Sequence, residues 1–332
     1  MWLINLQTLE LEEFLGSDTP DYAILSHTWS CGEKQGYQKI LDACAQARGA
    51  EYNFLWVDTN CIDKSSSSEL TEAINSMFSW YFHSGVCFAY LSDIPTSGQN
   101  FDADGISCSR WFARGWTLQE LLAPKEVLFY AADWSLIGTR SSLAHYISSA
   151  TGIDVKYFNS KSITSTASVG ERLSWLARRE TTRLEDMAYC MLGIFGISMP
   201  LIYGEGSRAF MRLQEEILKV SDDHSLFCWS WSAFSGTGSL LASRPHAFEE
   251  ASHLNSPLEK TIGHSHTARR TRGYRFNFER YHVGHHISAI SMLTPYTKTK
   301  IQVCYCQGIQ PQVDLSGVLI QESRCIFVTQ ED

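Results

Sequence analysis

The first 130 residues contain four short apolar runs, each separated from the next by a stretch with helical spacing, and this alternation constrains the fold more than any other feature. Short continuous apolar runs are typical of strands that are buried on both faces. The intervening stretches place apolar residues three and four positions apart, which predicts amphipathic helices. Strands that alternate with helices predict an α/β fold with a parallel sheet and helices on both faces. The predicted strands begin at Tyr22, Phe54, Val86 and Glu126.

Beyond these strands the sequence changes character twice, which divides the chain into three predicted segments. Residues 154–235 carry helix-start signals and amphipathic stretches with no strand pattern before residue 226, so we predict a helical block. After residue 235 apolar and polar residues alternate, and this period predicts a small antiparallel β region. We therefore expect an α/β domain at 1–153, a helical extension at 154–235 and a β-rich region at 236–332. The chain stops soon after a predicted strand, which is the pattern of a truncated module.

Charge and targeting signals exclude several classes of function. The 27 basic and 36 acidic residues give a net charge of −9, so no basic excess is available to displace counterions from a nucleic acid. The N-terminus lacks the basic start of a signal peptide, and no run of 18 apolar residues is present. The ten cysteines are expected to be reduced thiols, and without a C-x-x-C pair we predict no metal site. We expect a cytoplasmic protein with no membrane segment and no nucleic-acid partner.

Polar residues follow the predicted strands at the points where the strands end. Ser26, His27 and Trp29 close the first strand, and Asp58 closes the second. In open parallel sheets a ligand binds outside the carboxyl ends of the strands. These side chains are therefore candidates to line a site, although any strand that runs into a loop ends in polar residues.

The stretch from Arg110 to Pro124 predicts one helix of about three turns that the proline ends. Glu120 lies one turn after Trp116, so the carboxylate and the indole share a face. A helical glutamate is most often a solvated surface residue. A functional interpretation therefore needs support from the rest of the chain.

Several common catalytic and nucleotide-binding motifs are absent. The sequence has no G-x-x-x-x-G-K loop, no G-x-G-x-x-G fingerprint and no G-x-S-x-G elbow. Ser26 and His27 are adjacent on a strand and point to opposite faces, so we do not predict a dyad. This leaves Glu120 as the candidate catalytic residue. A single carboxylate suits a cleavage in which the leaving group departs unaided and an oxocarbenium ion forms, as when nicotinamide leaves NAD. The aromatic residues Trp116, Trp29 and Tyr90 are candidates to stack on the base.

Four ordered segments resemble the fungal heterokaryon-incompatibility (HET) family, and they cover about residues 22–135. The resemblance continues through 172–206 and 221–227 as the extension that these proteins often carry. One departure is Asn60, where the family commonly has cysteine, which puts any thiol role at that position in doubt. The segments that carry the resemblance are 22–29, 56–64, 73–77 and 114–121.

The resemblance implies a fold and an activity. The family is associated with programmed cell death after fusion of genetically unlike fungal cells, a form of innate immunity. Its core resembles the TIR domain, whose members include NAD hydrolases with a catalytic glutamate in a Trp-x-x-x-Glu-Leu pattern. Residues 116–121 match that pattern. The implied fold is thus a flavodoxin/TIR-like parallel sheet with helices on both faces, followed by a helical block and a small C-terminal antiparallel β region.

The resemblance also assigns roles to the candidate residues. Glu120 would be catalytic, and NAD would be a substrate rather than a tightly bound cofactor. The partner would be a second copy of the chain or another incompatibility protein. An alternative stays open, in which the domain is a non-enzymatic adaptor that oligomerises and recruits a cell-death effector. The residues expected to bind NAD are Ser26, His27, Trp29, Asp58, Asp63, Tyr90, Arg114 and Trp116.

Overall fold

The computed structural model describes residues 1–28, 33–96, 103–158, 166–221, 223–229 and 241–253, together with short strand segments between 265 and 306. The chain forms two compact units. The first consists of Met1–Thr164 and Arg179–Gly204, and the second consists of Ser165–Arg178 and Glu205–Asp332. The domain boundaries at 153 and 235 stay predictions.

The first unit is built on a seven-stranded sheet. Its strands are β1 (Trp2–Asn5), β2 (Leu11–Glu13), β3 (Ala23–His27), β4 (Phe54–Val57), β5 (Val86–Tyr90), β6 (Val127–Tyr130) and β7 (Leu136–Thr139). Its helices are α1 (Glu33–Gly49), α2 (Ser67–His83), α3 (Ala103–Ile106), α4 (Arg110–Ala113), α5 (Thr117–Leu122), α6 (Ala144–Thr151), α8 (Asp186–Tyr189) and α9 (Leu192–Phe195). Helix α7 (Val169–Ser174) belongs to the second unit.

The strand order is β2-β1-β4-β3-β5-β6-β7, and the four inner strands β4-β3-β5-β6 are parallel. Counted in chain order, these four strands run 2-1-3-4, which is the order of flavodoxin-like sheets. The predicted α/β fold with a parallel sheet is therefore confirmed. The outer pairings β1–β2, β1–β4 and β6–β7 are antiparallel, and they extend the sheet beyond the four predicted strands.

The inner strands are buried along their length, as their continuous apolar sequences predict. Ile24, Trp56 and Phe88 on three neighbouring strands are fully buried. Side chains of a parallel sheet are covered on both faces, so each strand contributes every residue to the core. The last residues of β3 and β5, His27 and Tyr90, are partly exposed at the carboxyl edge, and Phe54 of β4 and Leu128 of β6 are partly exposed as well.

Helix α2 starts at a cap that the sequence predicts. The Ser66 side chain accepts a hydrogen bond from the Glu69 backbone N–H at 3.3 Å. The Glu69 carboxylate accepts from the backbone N–H of Asp63 at 2.9 Å rather than from that of Ser66, so it ties down the loop before the helix. The apolar stripe of α2 then buries Ile74, Met77 and Tyr81.

Helix α9 packs against α2 through a glycine. A Cβ atom built on Gly193 would overlap the Cβ of Phe78. We expect Gly193→Ala to lower the free energy of unfolding by about 2 kcal/mol, because the two helices would have to separate. Gly49→Ala is the matched control, since its added methyl meets nothing within 4 Å. Urea unfolding should show a shifted midpoint for the first variant only, and equal midpoints would contradict this account of the packing.

The second unit contains two helices with clear sequence signals. These are α7 (Val169–Ser174) and α10 (Arg208–Val220). Ser168 caps α7 by accepting from the Glu171 backbone N–H at 3.1 Å, as its spacing predicts. Buried Gln214 on α10 pairs with the backbone of Ala242 in both directions, at 2.7 and 3.0 Å. These two hydrogen bonds satisfy the side-chain amide of Gln214, which is buried.

The C-terminal region contains antiparallel strands within its described segments. Strands β10, β11 and β12 form a three-stranded sheet, and β8 pairs with β9. Strands β11 and β12 overlap the alternating runs at 286–290 and 301–305, whereas the predicted strand at 325–328 lies outside the described residues. The strands are β8 (Ser265–His266), β9 (Phe278–Glu279), β10 (Tyr281–Val283), β11 (Ile287–Leu293) and β12 (Lys300–Cys306).

Across the described residues, none of the helices has the length and apolar character needed to cross a membrane.

Candidate functional site

The stretch predicted as one helix is two short helices, so that prediction was wrong. Arg114 leaves α4 with an extended backbone, φ −83° and ψ 137°, and α5 starts at Thr117. At this break the backbone forms hydrogen bonds with a segment of the same unit that is distant in the sequence. The Gly115 N–H donates to the Glu180 carbonyl at 2.8 Å, and the Glu180 N–H donates to the Ala113 carbonyl at 2.7 Å. A Cβ on Gly115 would lie 2.5 Å from Thr181 Cγ2, so glycine permits this close approach.

The buried guanidinium of Arg179 also stabilises the break between α4 and α5, through two hydrogen bonds. Arg179 Nη1 donates to the Arg114 carbonyl at 2.8 Å and to Thr117 Oγ1 at 3.0 Å. The Thr117 hydroxyl in turn donates to the Trp111 carbonyl at 2.6 Å. These bonds fix the first turn of α5 and therefore the direction of the side chains that it carries.

Glu120 on α5 ends a chain of buried hydrogen bonds. The Trp111 indole N–H donates to Ser26 Oγ at 2.8 Å, and the Ser26 hydroxyl donates to a carboxylate oxygen of Glu120. The Tyr81 hydroxyl, which donates to the Leu25 carbonyl at 3.3 Å, also lies close enough to the same carboxyl group to favour its charged form. Ser26 is fully buried and Glu120 is 7% exposed. The glutamate is thus held by the sheet, α2 and α4, rather than solvated on a helix surface.

Burial changes the protonation of Glu120. The pKa of the Glu120 carboxyl is raised from 4.5 to about 8, mainly by loss of hydration and in part by the negative charge of Asp58. The hydrogen bonds from Ser26 and Tyr81 and the charge of Arg114 act in the opposite direction, because they favour the carboxylate. The carboxyl group is therefore mostly neutral at pH 7 in the unliganded protein.

Glu120 borders a cavity of about 260 Å³ in the first unit. Part of the lining is apolar, and it consists of Leu25, Ile62, Leu70, Ile74 and Met77. The rest is polar or aromatic and includes two cationic side chains. These remaining side chains are His27, Asp58, Lys64, Tyr81, Arg114, Trp116, Thr117, Thr182, Asp186 and Tyr203.

Five of the sequence-predicted site residues line this cavity together. They are His27, Asp58, Arg114, Trp116 and Glu120. Ser26 reaches the site through its hydrogen bond to Glu120.

The other three predicted residues are not among the side chains that line the cavity. The Tyr90 hydroxyl donates to the Ala132 carbonyl at 2.9 Å, and its ring packs on Trp134 at 4.7 Å. Asp63 is exposed and accepts hydrogen bonds from Ser65. Trp29 lies outside the described residues.

His27 lies at the carboxyl end of β3 with its ring inside the protein. Its Nε2 lies 3.4 Å from Thr59 Oγ1 and 3.9 Å from a carboxylate oxygen of Asp58. Burial lowers the pKa of His27 to about 4, although the Asp58 charge opposes that shift. The imidazole is therefore neutral at pH 7, and Asp58 carries the negative charge at this point of the lining.

A third carboxyl group, that of Asp186 on α8, also lines the cavity. The Tyr203 hydroxyl donates to Asp186 Oδ1 at 3.0 Å, and the Trp116 indole also bonds Asp186. Burial raises the pKa of Asp186. The sequence reasoning missed Asp186 and Tyr203, because the helical stretch that contains them carries no motif. No three His, Cys, Asp or Glu side chains cluster as metal ligands within the described part of the chain.

Comparison with known proteins supports the resemblance seen in the sequence. The profile of the family described as heterokaryon incompatibility protein (HET) matches residues 22–104, which ends before Glu120. A second profile, a domain of unknown function (DUF8212), matches residues 208–303. No solved structure gives a significant match.

One curated relative is the vegetative incompatibility protein HET-E-1 of Podospora anserina. It is 44% identical over 221 residues, which is 60% of this chain but only 16% of the relative. The chain thus corresponds to a small part of a much longer protein. Over residues 22–104 the chain is thus similar to the heterokaryon incompatibility (HET) family, and the curated relative carries the same description in its name.

Proposed function

We propose that this protein promotes cell death on non-self recognition by cleaving NAD at the bond between nicotinamide and ribose, with Glu120 as the catalytic carboxylate. One observation carries the proposal. Glu120 is buried, held by Ser26 and presented to a cavity that aromatic and acidic side chains also line. A buried carboxyl group with a strongly shifted pKa in a cavity is a frequent property of catalytic sites.

The reaction suits a single carboxylate. The bond between C1′ of the ribose and the pyridinium nitrogen breaks, and its electron pair goes to that nitrogen, so nicotinamide leaves as a neutral molecule. The ribosyl group becomes an oxocarbenium ion, and water then adds to C1′ with loss of a proton. A carboxylate that binds a ribose hydroxyl stabilises the positive charge that develops in the transition state.

The substrate itself would help to ionise Glu120. The nicotinamide ring of NAD carries a positive charge, and a nearby positive charge lowers the pKa of a carboxyl group. Glu120 would therefore be largely neutral in the empty cavity and become a carboxylate as the cation enters. The proton leaves to solvent, which makes substrate binding dependent on pH.

The size and lining of the cavity are compatible with half of the dinucleotide. Cavities that hold a complete drug-sized ligand have volumes of about 300 to 1,000 Å³. The volume of about 260 Å³ is enough for the nicotinamide and its ribose but not for all of NAD. The Trp116 indole is available to stack on the pyridinium ring, and such a contact favours a cation over an aromatic face.

The proposal is tested by nicotinamide release from NAD. We also propose that the protein acts in clusters in the cytoplasm, so the purified chain is assayed on a scaffold that enforces self-association. Wild-type protein should release nicotinamide, and Glu120→Gln should lower the rate by about 100-fold or more, because it removes the charge that stabilises the transition state. Glu72→Gln is the control, since Glu72 is exposed on α2 and does not line the cavity. Silence of the clustered wild-type protein would contradict the proposal.

A non-enzymatic adaptor is the second candidate. The bonds of Ser26 and Tyr81 to Glu120 also stabilise the core, which is all that an adaptor would need from them. Expression in fungal cells separates the two candidates. An adaptor keeps its toxicity with Glu120→Gln and loses it with Trp116→Ala, whereas the enzyme loses it with both.

A further inference from the structure

The cavity places an acidic side chain and two basic side chains at different depths. Glu120 is 7% exposed, which places its carboxyl group deep in the lining. The Lys64 side chain is 46% exposed, and the Arg114 residue is half-buried, so these two cations lie nearer the mouth. The cavity therefore offers an acidic interior and a basic rim within a chain whose net charge is −9.

We propose that Lys64 and Arg114 form a subsite that binds the diphosphate of the dinucleotide, while its cationic nicotinamide end occupies the interior beside Glu120. This inference rests on the proposed function and adds to it the part of the substrate that stays outside the cavity. NAD has its positive charge at the nicotinamide and its negative charges on the diphosphate. The positive nicotinamide would thus lie next to Glu120, and the negative diphosphate would lie next to Lys64 and Arg114.

The volume of the cavity leads to the same assignment. About 260 Å³ leaves no room for the diphosphate and the adenosine once the nicotinamide and its ribose have entered. The diphosphate must then lie at the mouth, where Lys64 and Arg114 are the cationic side chains in the lining. An ammonium and a guanidinium are the usual protein partners of phosphate oxygens.

Asp58 is the negative group that a phosphate would meet at this rim. A carboxylate oxygen of Asp58 lies 3.6 Å from Lys64 Nζ, and the Asp58 side chain is 30% exposed. An ammonium has three N–H donors, so Lys64 can keep its contact with Asp58 and still donate to a phosphate oxygen. Asp58 thereby holds the ammonium at the mouth and lowers the entropy lost on binding.

Lys64 is the better residue to replace, because the backbone of Arg114 also belongs to the break between α4 and α5. Two substrates are compared for each variant. NAD carries the diphosphate, and nicotinamide riboside has the same scissile bond with no phosphate. Lys64→Gln is expected to raise the KM for NAD about tenfold, which is the loss of one charge-assisted contact, and to leave the KM for nicotinamide riboside within about twofold.

Lys125→Gln is the matched control, because it removes the same charge from an exposed lysine that does not line the cavity. Both KM values should stay at the wild-type level in this variant. Raising the salt concentration should raise the KM for NAD in the wild-type protein and in Lys125→Gln, and the effect should be smaller in Lys64→Gln.

Failure of this inference is distinguishable from failure of the proposed function. If Lys64→Gln changes the two KM values equally, or changes neither, the diphosphate subsite is wrong while NAD cleavage by Glu120 stands. Calorimetric binding of ADP-ribose gives a readout that needs no turnover. Lys64→Gln should weaken that binding about tenfold and Lys125→Gln should not, and unchanged binding by Lys64→Gln overturns the subsite.

Discussion

Replacing Glu120 by glutamine is expected to raise the free energy of unfolding at pH 7 by about 3 kcal/mol. Burial lifts the pKa of this carboxyl from 4.5 to about 8, so the unfolded chain releases a proton that the folded protein keeps. At pH 7 the difference corresponds to about 2.5 pKa units, and each unit is about 1.4 kcal/mol. Glutamine keeps the shape and the acceptor oxygen for Ser26 but has no proton to lose.

The size of this effect depends on pH. The stability that the neutral carboxyl provides is fully present below about pH 4 and is lost as the pH rises towards and through 8. Urea unfolding of the two proteins should therefore give nearly equal stabilities at pH 4 and a growing advantage of Glu120→Gln up to about pH 8. Glu72→Gln should follow the wild-type protein throughout. A variant that is less stable than wild type at every pH would contradict the burial of an ionisable group at this position.

The kcat/KM for NAD cleavage is expected to fall about 50-fold between pH 8 and pH 6, because Glu120 is half ionised at a pH equal to its pKa of about 8. The reaction needs the carboxylate, and kcat/KM reports the ionisation of the free enzyme, so its acid limb should drop about tenfold per pH unit below the pKa of Glu120. The proton must leave before or as the substrate binds. The pH profile therefore follows the same carboxyl group that controls the stability.

Ser26→Ala should move that profile to higher pH. The Ser26 hydroxyl donates to the Glu120 carboxylate, and its loss removes an interaction that favours the charged form. Activity at pH 7 should fall more than activity at pH 9. A purely structural role of Ser26 would lower the rate equally at all pH values, and a flat profile of the wild-type enzyme between pH 6 and pH 8 would contradict the assignment of Glu120.

The parallel part of the sheet was predictable because buried parallel strands have continuous apolar sequences. The segments of β1, β2 and β7 are short and lie outside the four parallel strands, where antiparallel pairing leaves part of each strand exposed and weakens the pattern. The break between α4 and α5 was not predictable from local sequence. It depends on Glu180 and Arg179, which pair with this stretch from more than 60 residues away.

The site was predictable where it follows from strand ends and one motif. His27 and Asp58 lie at the carboxyl edge of the sheet, and Trp116 and Glu120 share a face of α5, so local rules bring these four to the cavity. Tyr90 also ends a strand, but its hydroxyl is tied to the Ala132 carbonyl. The sequence gives no sign of that bond, since it depends on the loop after β6.

The missed residues came from tertiary contacts. Asp186 and Tyr203 reach the cavity because the segment 179–204 packs on the α/β core of the first unit. The sequence could have indicated that Trp111 needs a hydrogen-bond partner, since a buried indole N–H requires an acceptor, and in the structure that acceptor is Ser26. The identity of that acceptor still required the fold.

The central claim is that Glu120 is neutral in the empty cavity and becomes a carboxylate when a cation enters beside it. Calorimetry in buffers of different ionisation enthalpy counts the protons released when a ligand binds. A carbocyclic NAD analogue, whose carbon ring cannot release nicotinamide, should release close to one proton at pH 7 from the wild-type protein and none from Glu120→Gln. Equal proton release by the two proteins, or none by either, would contradict the account.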